Sequence, residues 1–388
     1  MKKIAIALIV LSFAVPVGLI VGKYFSNLKE KEVAEEISQN YKTNPGTSGK
    51  FVWGVQGGAY YLNSVGGSYN PQNVEAQLKA AQESGINLIR ANLEIVTDKV
   101  PFIIEYNDAD NDDFINRVTS KGFDLLLVLD PNVPQTVGLA QYQQEEYKLG
   151  SYAAKRYKGK VKYYQAANEV SGTSARLPED KGQSFKDSLG NEYDLERYNA
   201  VLAWVKGISQ GIRENDPSAQ IVVSGHYILY PLVERMVREG ADFDILGWAF
   251  YSQDGSNVTR REYNYGNYMN LAERLYKIKK NLWIIEANYE KGSYDKNKGS
   301  TSETEKRQAE YIKTLAENVY KSGYFKGFLV YTLLDNPTNA DLGNPQDAHL
   351  GLVEVKKRDG LNKITKYKEA FFAYRDFIRL NRALPTLK

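Results

Sequence analysis

From Phe51 onward, short apolar runs alternate with amphipathic stretches at a fairly even spacing. The apolar runs are rich in β-branched and aromatic residues, which is typical of buried strands. We predict strands at 52–55, 87–91, 124–129, 161–166, 220–224, 244–248, 282–286 and 327–331. The amphipathic stretches include predicted helices at 73–85, 113–122, 195–216, 269–280 and 305–323. This alternation predicts an α/β protein, a single (β/α)8 TIM barrel over residues 51–388.

A doubly wound open sheet would show the same alternation with fewer units and usually with a glycine fingerprint after the first strand. Gly54, Gly57 and Gly58 lack the G-x-G-x-x-G spacing, and the chain has no P-loop motif. The longest gap between predicted strands holds a Gly-, Ser- and Asp-rich segment at 171–194. In a barrel, an excursion after the fourth strand lies on the C-terminal face, where such folds keep their active sites.

The N-terminus is MKK followed by an uncharged, mostly apolar run from Ile4 to Gly22. At 1.5 Å per residue, this run approaches the ~30 Å thickness of bilayer hydrocarbon. It is longer than the usual core of a signal peptide and has no A-x-A cleavage site near Gly22. We expect residues 1–23 to form a signal anchor that contacts the membrane, with a cleaved signal peptide as the alternative. Either one places the body outside the cytoplasm, behind a polar linker at residues 24–50.

The amino-acid composition excludes several kinds of catalytic and metal site. The chain has no cysteine and two histidines, which excludes thiol nucleophiles, disulfides and Cys-ligated metals. A Ser-His-Asp arrangement remains possible, but acid–base chemistry falls mainly to carboxylates. Lys2, Lys3 and Lys23 account for the net charge of +3, so the body is neutral and lacks the basic surplus of a nucleic-acid binder. We expect no cofactor, no metal, no nucleic-acid partner and a monomer.

Polar residues follow three of the predicted strands. Arg90 ends the second strand, Asn168 and Glu169 follow the fourth, and Glu286 ends the seventh. Reactive side chains of (β/α)8 barrels lie at these strand ends, so the two carboxylates can face each other across the barrel mouth. Such a pair suits glycoside hydrolysis, in which one carboxyl protonates the leaving oxygen and the other attacks the anomeric carbon.

The motifs around these residues resemble those of glycoside hydrolase clan A, over residues 51–380. By this resemblance, YYQAANEV contains Asn168 and the acid/base Glu169, and LWIIEANY contains the nucleophile Glu286. The resemblance implies a retaining β-glycosidase that forms a covalent glycosyl-enzyme. In that geometry the two carboxyls lie ~5–5.5 Å apart.

The same resemblance implies supporting roles for other residues. Arg90, in INLIR, is similar to the strand-2 arginine that keeps the nucleophile ionised, and Tyr251, in DILGWAFYS, matches the strand-6 tyrosine that hydrogen-bonds to it. Tyr331 stands where many members have a tryptophan beneath the sugar, and Ala249 where the clan often has a histidine. The chain is most similar to families that hydrolyse bacterial exopolysaccharide, xylan or mannan, without matching one of them.

Several further residues have two interpretations. His226, after the fifth strand, contacts substrate or is a structural histidine. We expect Trp283 to be a core residue that faces the helices. An acidic stretch at 107–113 departs from a calcium loop, and a helix N-cap at Asp112 or Asp113 fits it better. We expect a share of the aromatic residues at strand ends to line a sugar cleft, namely Trp53, Tyr60, Tyr61, Trp248, Phe250, Tyr251 and Tyr331.

The leading hypothesis is a membrane-anchored or secreted, extracytoplasmic retaining β-glycosidase acting on a polysaccharide or oligosaccharide. The alternative from another class is a catalytically inert surface carbohydrate-binding protein on the same barrel. A third, a phosphate-dependent aldolase or isomerase, lacks support because no Gly-rich phosphate loop follows the seventh or eighth strand.

Overall fold

The structure is a computed structural model that describes residues 51–59, 69–99, 102–129, 138–176, 182–264, 266–358 and 361–383. The predicted anchor at residues 1–23 and the linker at 24–50 lie outside the described residues. Among the helices that are described, none is long and apolar enough to cross a membrane.

Eight parallel strands close into a barrel, which confirms the predicted fold. The strands are β1 (Val52–Gln56), β2 (Leu88–Asn92), β3 (Asp124–Val128), β4 (Tyr163–Ala167), β5 (Gln220–His226), β6 (Ile245–Tyr251), β7 (Asn281–Asn288) and β8 (Phe325–Val330). Each strand pairs with the strands before and after it in the chain, and β8 pairs with β1. Consecutive pairing of this kind is what repeated βα units produce.

A helix follows every barrel strand. The helices are α1 (Pro71–Ser84), α2 (Asp108–Ser120), α3 (Leu139–Tyr157), α4 (Leu195–Asn215), α5 (Tyr230–Arg238), α6 (Leu271–Tyr276), α7 (Ser302–Ser322) and α8 (Glu369–Ala383). Helix α1 begins where the Asn70 side chain accepts from the backbone N–H of Gln72 and ends at Gly85, whose φ of 77° needs a residue without Cβ.

Helix α2 starts five residues earlier than the sequence predicted. It begins at Asp108, with Asn107 at the N-cap, so an N-cap at Asp112 or Asp113 is wrong. Both residues lie within the helix instead, where Asp112 pairs with Arg156 and Asp113 with Arg117. Acidic side chains near a helix start are favoured by the helix dipole, which is why they resemble a cap in the sequence.

The loops on the C-terminal side of the barrel carry two-stranded hairpins. They are Ile95–Lys99 with Phe102–Tyr106, Ser184–Lys186 with Glu192–Asp194, Arg261–Asn264 with Asn267–Met269, Tyr294–Asp295 with Gly299–Ser300, and Val353–Arg358 with Leu361–Tyr367. The second of these hairpins lies in the long segment after β4, where the sequence predicted an excursion.

The barrel interior has an apolar layer beneath a polar one. Its apolar cluster takes at least one side chain from each of β2 to β8, with Val52 of β1 packed against it: Leu88, Leu126, Tyr163, Val222, Ile245, Trp283, Ile285 and Leu329. Trp283 is a core residue as predicted, but it faces the interior rather than the helices. Its indole packs edge-on against Tyr163 at 4.9 Å. A larger core fills the space between strands and helices.

Candidate active site

Arg90 lies at the centre of the polar layer above the apolar cluster. Its guanidinium donates to Gln165 Oε1 at 2.7 Å, Gln56 Oε1 at 2.6 Å and Asn168 Oδ1 at 3.1 Å. Arg90 Nη1 also lies 2.9 Å from Glu286 Oε1, and both side chains are less than a tenth exposed. One buried cation on β2 thus joins side chains from β1, from β7 and from the region of β4. Its planar donors hold each acceptor in a fixed direction.

Glu286 receives a second hydrogen bond from the opposite side. The Tyr251 hydroxyl donates to Glu286 Oε2 at 3.1 Å. Burial, followed by the charge of Glu286, raises the pKa of Tyr251 well above its usual value, so the hydroxyl remains a donor. Glu286 thus has an ion pair on one oxygen and a hydrogen bond on the other.

Glu169 lies at the end of β4 in a different environment. Its side chain is 37% exposed, and its Oε1 is 3.9 Å from His226 Nδ1. Its backbone adopts the left-handed conformation, with φ of 45°, and its N–H donates to Ser224 Oγ at 2.8 Å. A non-glycine residue in this conformation carries strain of about 1–3 kcal/mol, which is found mostly at functional sites.

The neighbouring Asn168 is fixed through its side-chain oxygen. That oxygen accepts from Arg90, from Gln165 Nε2 at 3.0 Å and from Ser224 Oγ at 3.0 Å. Because the oxygen takes all three of these hydrogen bonds, the amide presents its NH2 group on the other side.

Irregular strand pairing accompanies these residues. The register shifts in β4 between Gln165 and Ala167, in β6 between Trp248 and Ala249, and in β7 between Ile284 and Ala287. A bulge adds one residue to a strand and redirects the side chains beyond it. In β7 the shift allows Glu286 to reach the barrel mouth directly after the inward-facing Ile285.

His226 belongs to this group, but it does not form a catalytic triad with Ser171 and Glu169. Ser171 Oγ lies 3.5 Å and Glu169 Oε1 lies 3.9 Å from the same nitrogen, Nδ1. A triad needs its two partners on opposite ring nitrogens. Burial lowers the pKa of His226 to about 4, so the imidazole is neutral at pH 7.

Tyr331 stands at the end of β8, and its peptide bond with Thr332 is cis. Burial, with the charge of Glu286 as the next cause, raises the pKa of its hydroxyl to about 12. It is therefore a neutral aromatic side chain close to the Arg90–Glu286 pair.

Three of the aromatic residues expected in a sugar cleft are core residues. Trp248 and Phe250 are 0% exposed and Trp53 is 2% exposed, so their rings are covered by protein. Trp248 supports the site from behind, since its Nε1 donates to the backbone oxygen of Tyr227 at 3.0 Å. Tyr60 and Tyr61 lie outside the described residues.

A pocket of about 200 Å³ opens beside Glu169. Its wall is formed by the ends of β5 and β6 and by the loop after β7, with Glu169, His226, Tyr227, Ala249, Tyr251, Gln253, Asp254 and Glu290. The structure thus brings Arg90 and Tyr251 into contact with Glu286 and joins Asn168 to Arg90. It places Glu169 and His226 at the adjoining pocket.

Sequence reasoning missed Gln56, Gln165 and Ser224, which hold Arg90 and Asn168. The signal was available, because Gln165 and Ser224 interrupt otherwise apolar strands and Gln56 ends β1. Attention to strand ends alone overlooked polar residues inside the strands. Within the residues that the structure covers, no group of three or more His, Asp or Glu side chains could hold a metal ion.

Glu94 and His349, two further titratable residues, are not among the residues that line the pocket beside Glu169. Burial, followed by the charge of Asp110, raises the pKa of Glu94 to about 7. Its main-chain N–H and C=O are hydrogen-bonded to the Asn111 side chain of α2. His349 lies 3.9 Å from Asp335, in a second buried cluster.

The fold is similar to several solved structures of carbohydrate-active enzymes. A GH53 catalytic domain from Ignisphaera aggregans is 16% identical, with a TM-score of 0.56 over 86% of this chain and 98% of that one. A β-glucosidase from Thermotoga maritima in complex with cyclophellitol is 12% identical, with a TM-score of 0.58 over 88% of this chain and 100% of that one.

A family 39 glycoside hydrolase from Bacteroides cellulosilyticus WH2 is 13% identical, with a TM-score of 0.58 over 86% of this chain and 64% of that one. No family model matches the sequence, and no curated protein is similar to it in sequence. At identities this low, the likeness concerns the fold.

Proposed function

We propose that this protein hydrolyses β-glycosidic bonds with retention of configuration, with Glu286 as the nucleophile and Glu169 as the acid/base. The observation that supports this best is the buried contact of Glu286 with Arg90 at 2.9 Å and with the Tyr251 hydroxyl at 3.1 Å. Both contacts favour an anion at a place where a carboxylate alone would be costly to bury.

The two carboxyls suit different steps. Glu286, as an anion, attacks the anomeric carbon and forms a glycosyl ester while Glu169 protonates the departing oxygen. Glu169 then takes a proton from water, which attacks the anomeric carbon and releases Glu286. Asn168 presents its NH2 group and would donate to the sugar 2-hydroxyl, a bond that strengthens in the transition state.

The proposed substrate is an extracellular polysaccharide or oligosaccharide. A structural neighbour is described as a β-glucosidase in complex with deoxynojirimycin, and the fold supports related chemistry here. Tyr331 offers an aromatic side chain beside the nucleophile, and sugar rings stack well on such faces.

Two measurements on residues 45–388 test this function. With a panel of β-linked glycans and aryl β-glycosides, we expect turnover and release of the β-anomer first, as seen by NMR. Glu286→Gln should reduce kcat by at least roughly 10³-fold while glycan affinity is retained. First release of the inverted anomer would contradict retention, whereas binding without turnover by the unaltered chain would favour the inert carbohydrate-binding protein.

We also propose an extracytoplasmic location, with residues 1–23 as the anchor. This rests on the uncharged run from Ile4 to Gly22. Cell fractionation with an antibody to the barrel should find the protein in the membrane with its N-terminus intact. A secreted form with a new N-terminus would replace the anchor with a cleaved signal peptide.

A further inference from the structure

The pocket beside Glu169 lies on the acid side of the proposed catalytic pair. Of the proposed catalytic and supporting residues, Glu169, Tyr251 and His226 line it, while Arg90 and Glu286 are not among its lining residues. A general acid delivers its proton to the oxygen of the departing sugar, so the space that continues outward from Glu169 is where that sugar must lie. About 200 Å³ offers room for part of one monosaccharide ring, with the rest extending into solvent.

Tyr227 gives this pocket a rigid aromatic rim. Its φ of 51° is left-handed, although it is not glycine, and its side chain is 41% exposed. The Gln253 side chain donates to its hydroxyl at 2.9 Å, and the His226 ring packs edge-on against it at 4.4 Å. A strained backbone that holds an exposed ring in place is expected where the ring meets a ligand, because a fixed ring loses little entropy on binding.

The same wall is acidic. Asp254 and Glu290 line the pocket together with Glu169, and the described lining residues include no lysine or arginine. Asp254 is buried and paired with Arg261. Within the described part of the chain, Glu290 forms its ion pair with the half-exposed Lys291, at 3.3 Å, and such surface pairs contribute little. Glu290 therefore leaves the pocket with acceptor oxygens and a negative potential, which favour hydroxyl or ammonium donors and oppose a carboxylate.

We propose that this pocket binds the departing sugar and that it accepts a neutral or amino sugar but discriminates against a uronic acid. The proposal rests on the proposed function, because a departing sugar exists only if the protein cleaves glycosidic bonds. Tyr227 provides the surface for the sugar face, and Glu290 determines the charge preference.

Transfer from the glycosyl-enzyme tests the pocket directly. When a sugar replaces water, its hydroxyl oxygen attacks the anomeric carbon, the bond to Glu286 breaks, and the hydroxyl proton passes to Glu169. We would use an aryl β-glycoside donor that the protein turns over and, as acceptors, glucose, glucosamine and glucuronate, and the corresponding galacto series. The measured quantity is the ratio of transfer product to hydrolysis product in one reaction. Both products arise from the same glycosyl-enzyme, so this ratio does not depend on how fast the glycosyl-enzyme forms.

We expect glucuronate and galacturonate to accept at least roughly fivefold less often than the neutral and amino sugars. Glu290→Gln should raise transfer to the uronates by a similar factor. Glu303→Gln is the control, because Glu303 is likewise a glutamate paired with a lysine, Lys298 at 3.0 Å, but it lies outside the pocket lining. Tyr227→Gly removes the ring while relieving the left-handed strain, and it should lower transfer to every acceptor.

The outcomes separate the two proposals. Aryl release with equal transfer to uronates and neutral sugars, or with no transfer to any acceptor, would overturn the subsite and leave the hydrolase intact. No aryl release from any donor would overturn both.

Discussion

Arg90 and Glu286 form a pair of buried charges that depend on their neighbours. Removing two charges from water costs several kcal/mol per ion, and the attraction between them offsets this only if the remaining donors and acceptors are also satisfied. Gln56, Gln165 and Asn168 supply those acceptors for the guanidinium. The polar layer therefore supplies hydrogen-bond partners to the buried ion pair of the proposed active site.

Tyr251→Phe tests how much the hydrogen bond from the Tyr251 hydroxyl contributes to the activity of the proposed nucleophile, Glu286. The variant removes the donor at 3.1 Å from Glu286 Oε2 and leaves the ring in place. A hydrogen bond to a charged group contributes about 1.5–3 kcal/mol, so kcat/KM should fall roughly 10- to 100-fold. Initial rates on the best aryl glycoside measure this. Tyr263→Phe, on an exposed hairpin tyrosine, is the control, and equal rates in the two variants would contradict the role of Tyr251.

The sequence predicted the positions of the polar residues of this site better than those of the aromatic residues. Strand-end polar residues are visible because they interrupt an apolar run, which is how Arg90, Glu169 and Glu286 were found. Whether an aromatic residue near a strand end faces a cleft or the core depends on strand direction and on bulges. That is why Trp248 was expected in a cleft and is buried.

At the scale of elements, the barrel strands were predicted within a few residues. Strict alternation counted back from Glu286 places Trp283 toward the helices, but the register shift in β7 reverses that parity. The hairpins were not predicted, because short polar strands such as Ser184–Lys186 carry too little apolar pattern.

Gly172, in the short helix Val170–Ser174, leaves the space that the His226 ring occupies. A Cβ at Gly172 would lie 2.5 Å from His226 Cε1, which is closer than atoms can approach. Gly172→Ala would usually stabilise a helix by about 1 kcal/mol, but here the imidazole must move. We expect the displaced ring to gain solvent and its pKa to rise from about 4 toward the usual 6.5.

Histidine-selective NMR titration measures this change, since the chain has only His226 and His349. Gly138→Ala is the matched control, because a Cβ there meets nothing within 4 Å. An unchanged His226 titration in the Gly172 variant would show that the helix, rather than the imidazole, adjusts.

At the scale of the molecule, a second buried cluster joins the chain beyond β7 and β8 to the C-terminal helix. Lys368 Nζ, fully buried just before α8, lies 2.6 Å from Asp335 Oδ1 and 2.9 Å from Ser293 Oγ. It also donates to the backbone oxygen of His349 at 3.2 Å. Sequence patterns could not find this contact, because Lys368 and Asp335 are far apart in the chain and neither interrupts a strand.

Lys368→Met tests whether this cluster holds the loops at the barrel mouth. The variant leaves Asp335 as a buried carboxylate without its cation, so unfolding free energy should fall by about 3–5 kcal/mol in denaturant titrations at pH 7. Burial already raises the pKa of Asp335 from 3.8 to about 6, so the folded state favours the protonated acid. Lys368 opposes this rise, so its loss should raise the pKa of Asp335 above 6. The deficit relative to the unaltered chain should therefore shrink as the pH falls toward 6 and Asp335 of the variant takes up a proton, and it should stay constant below pH 6, where both proteins bind that proton.

The double variant Asp335→Asn, Lys368→Met removes both charges. In the unaltered chain the Gly351 N–H donates to Asp335 Oδ1 at 2.8 Å, and the asparagine keeps an oxygen that can accept this hydrogen bond. Replacing both partners of a buried pair with neutral groups is often close to neutral in stability, so the double variant should recover most of the loss. A double variant as unstable as Lys368→Met would mean that the lysine stabilises through Ser293 and His349 instead. A single variant whose deficit stays the same as the pH falls from about 9 to 6 would show that the loss of Lys368 does not change proton uptake by Asp335.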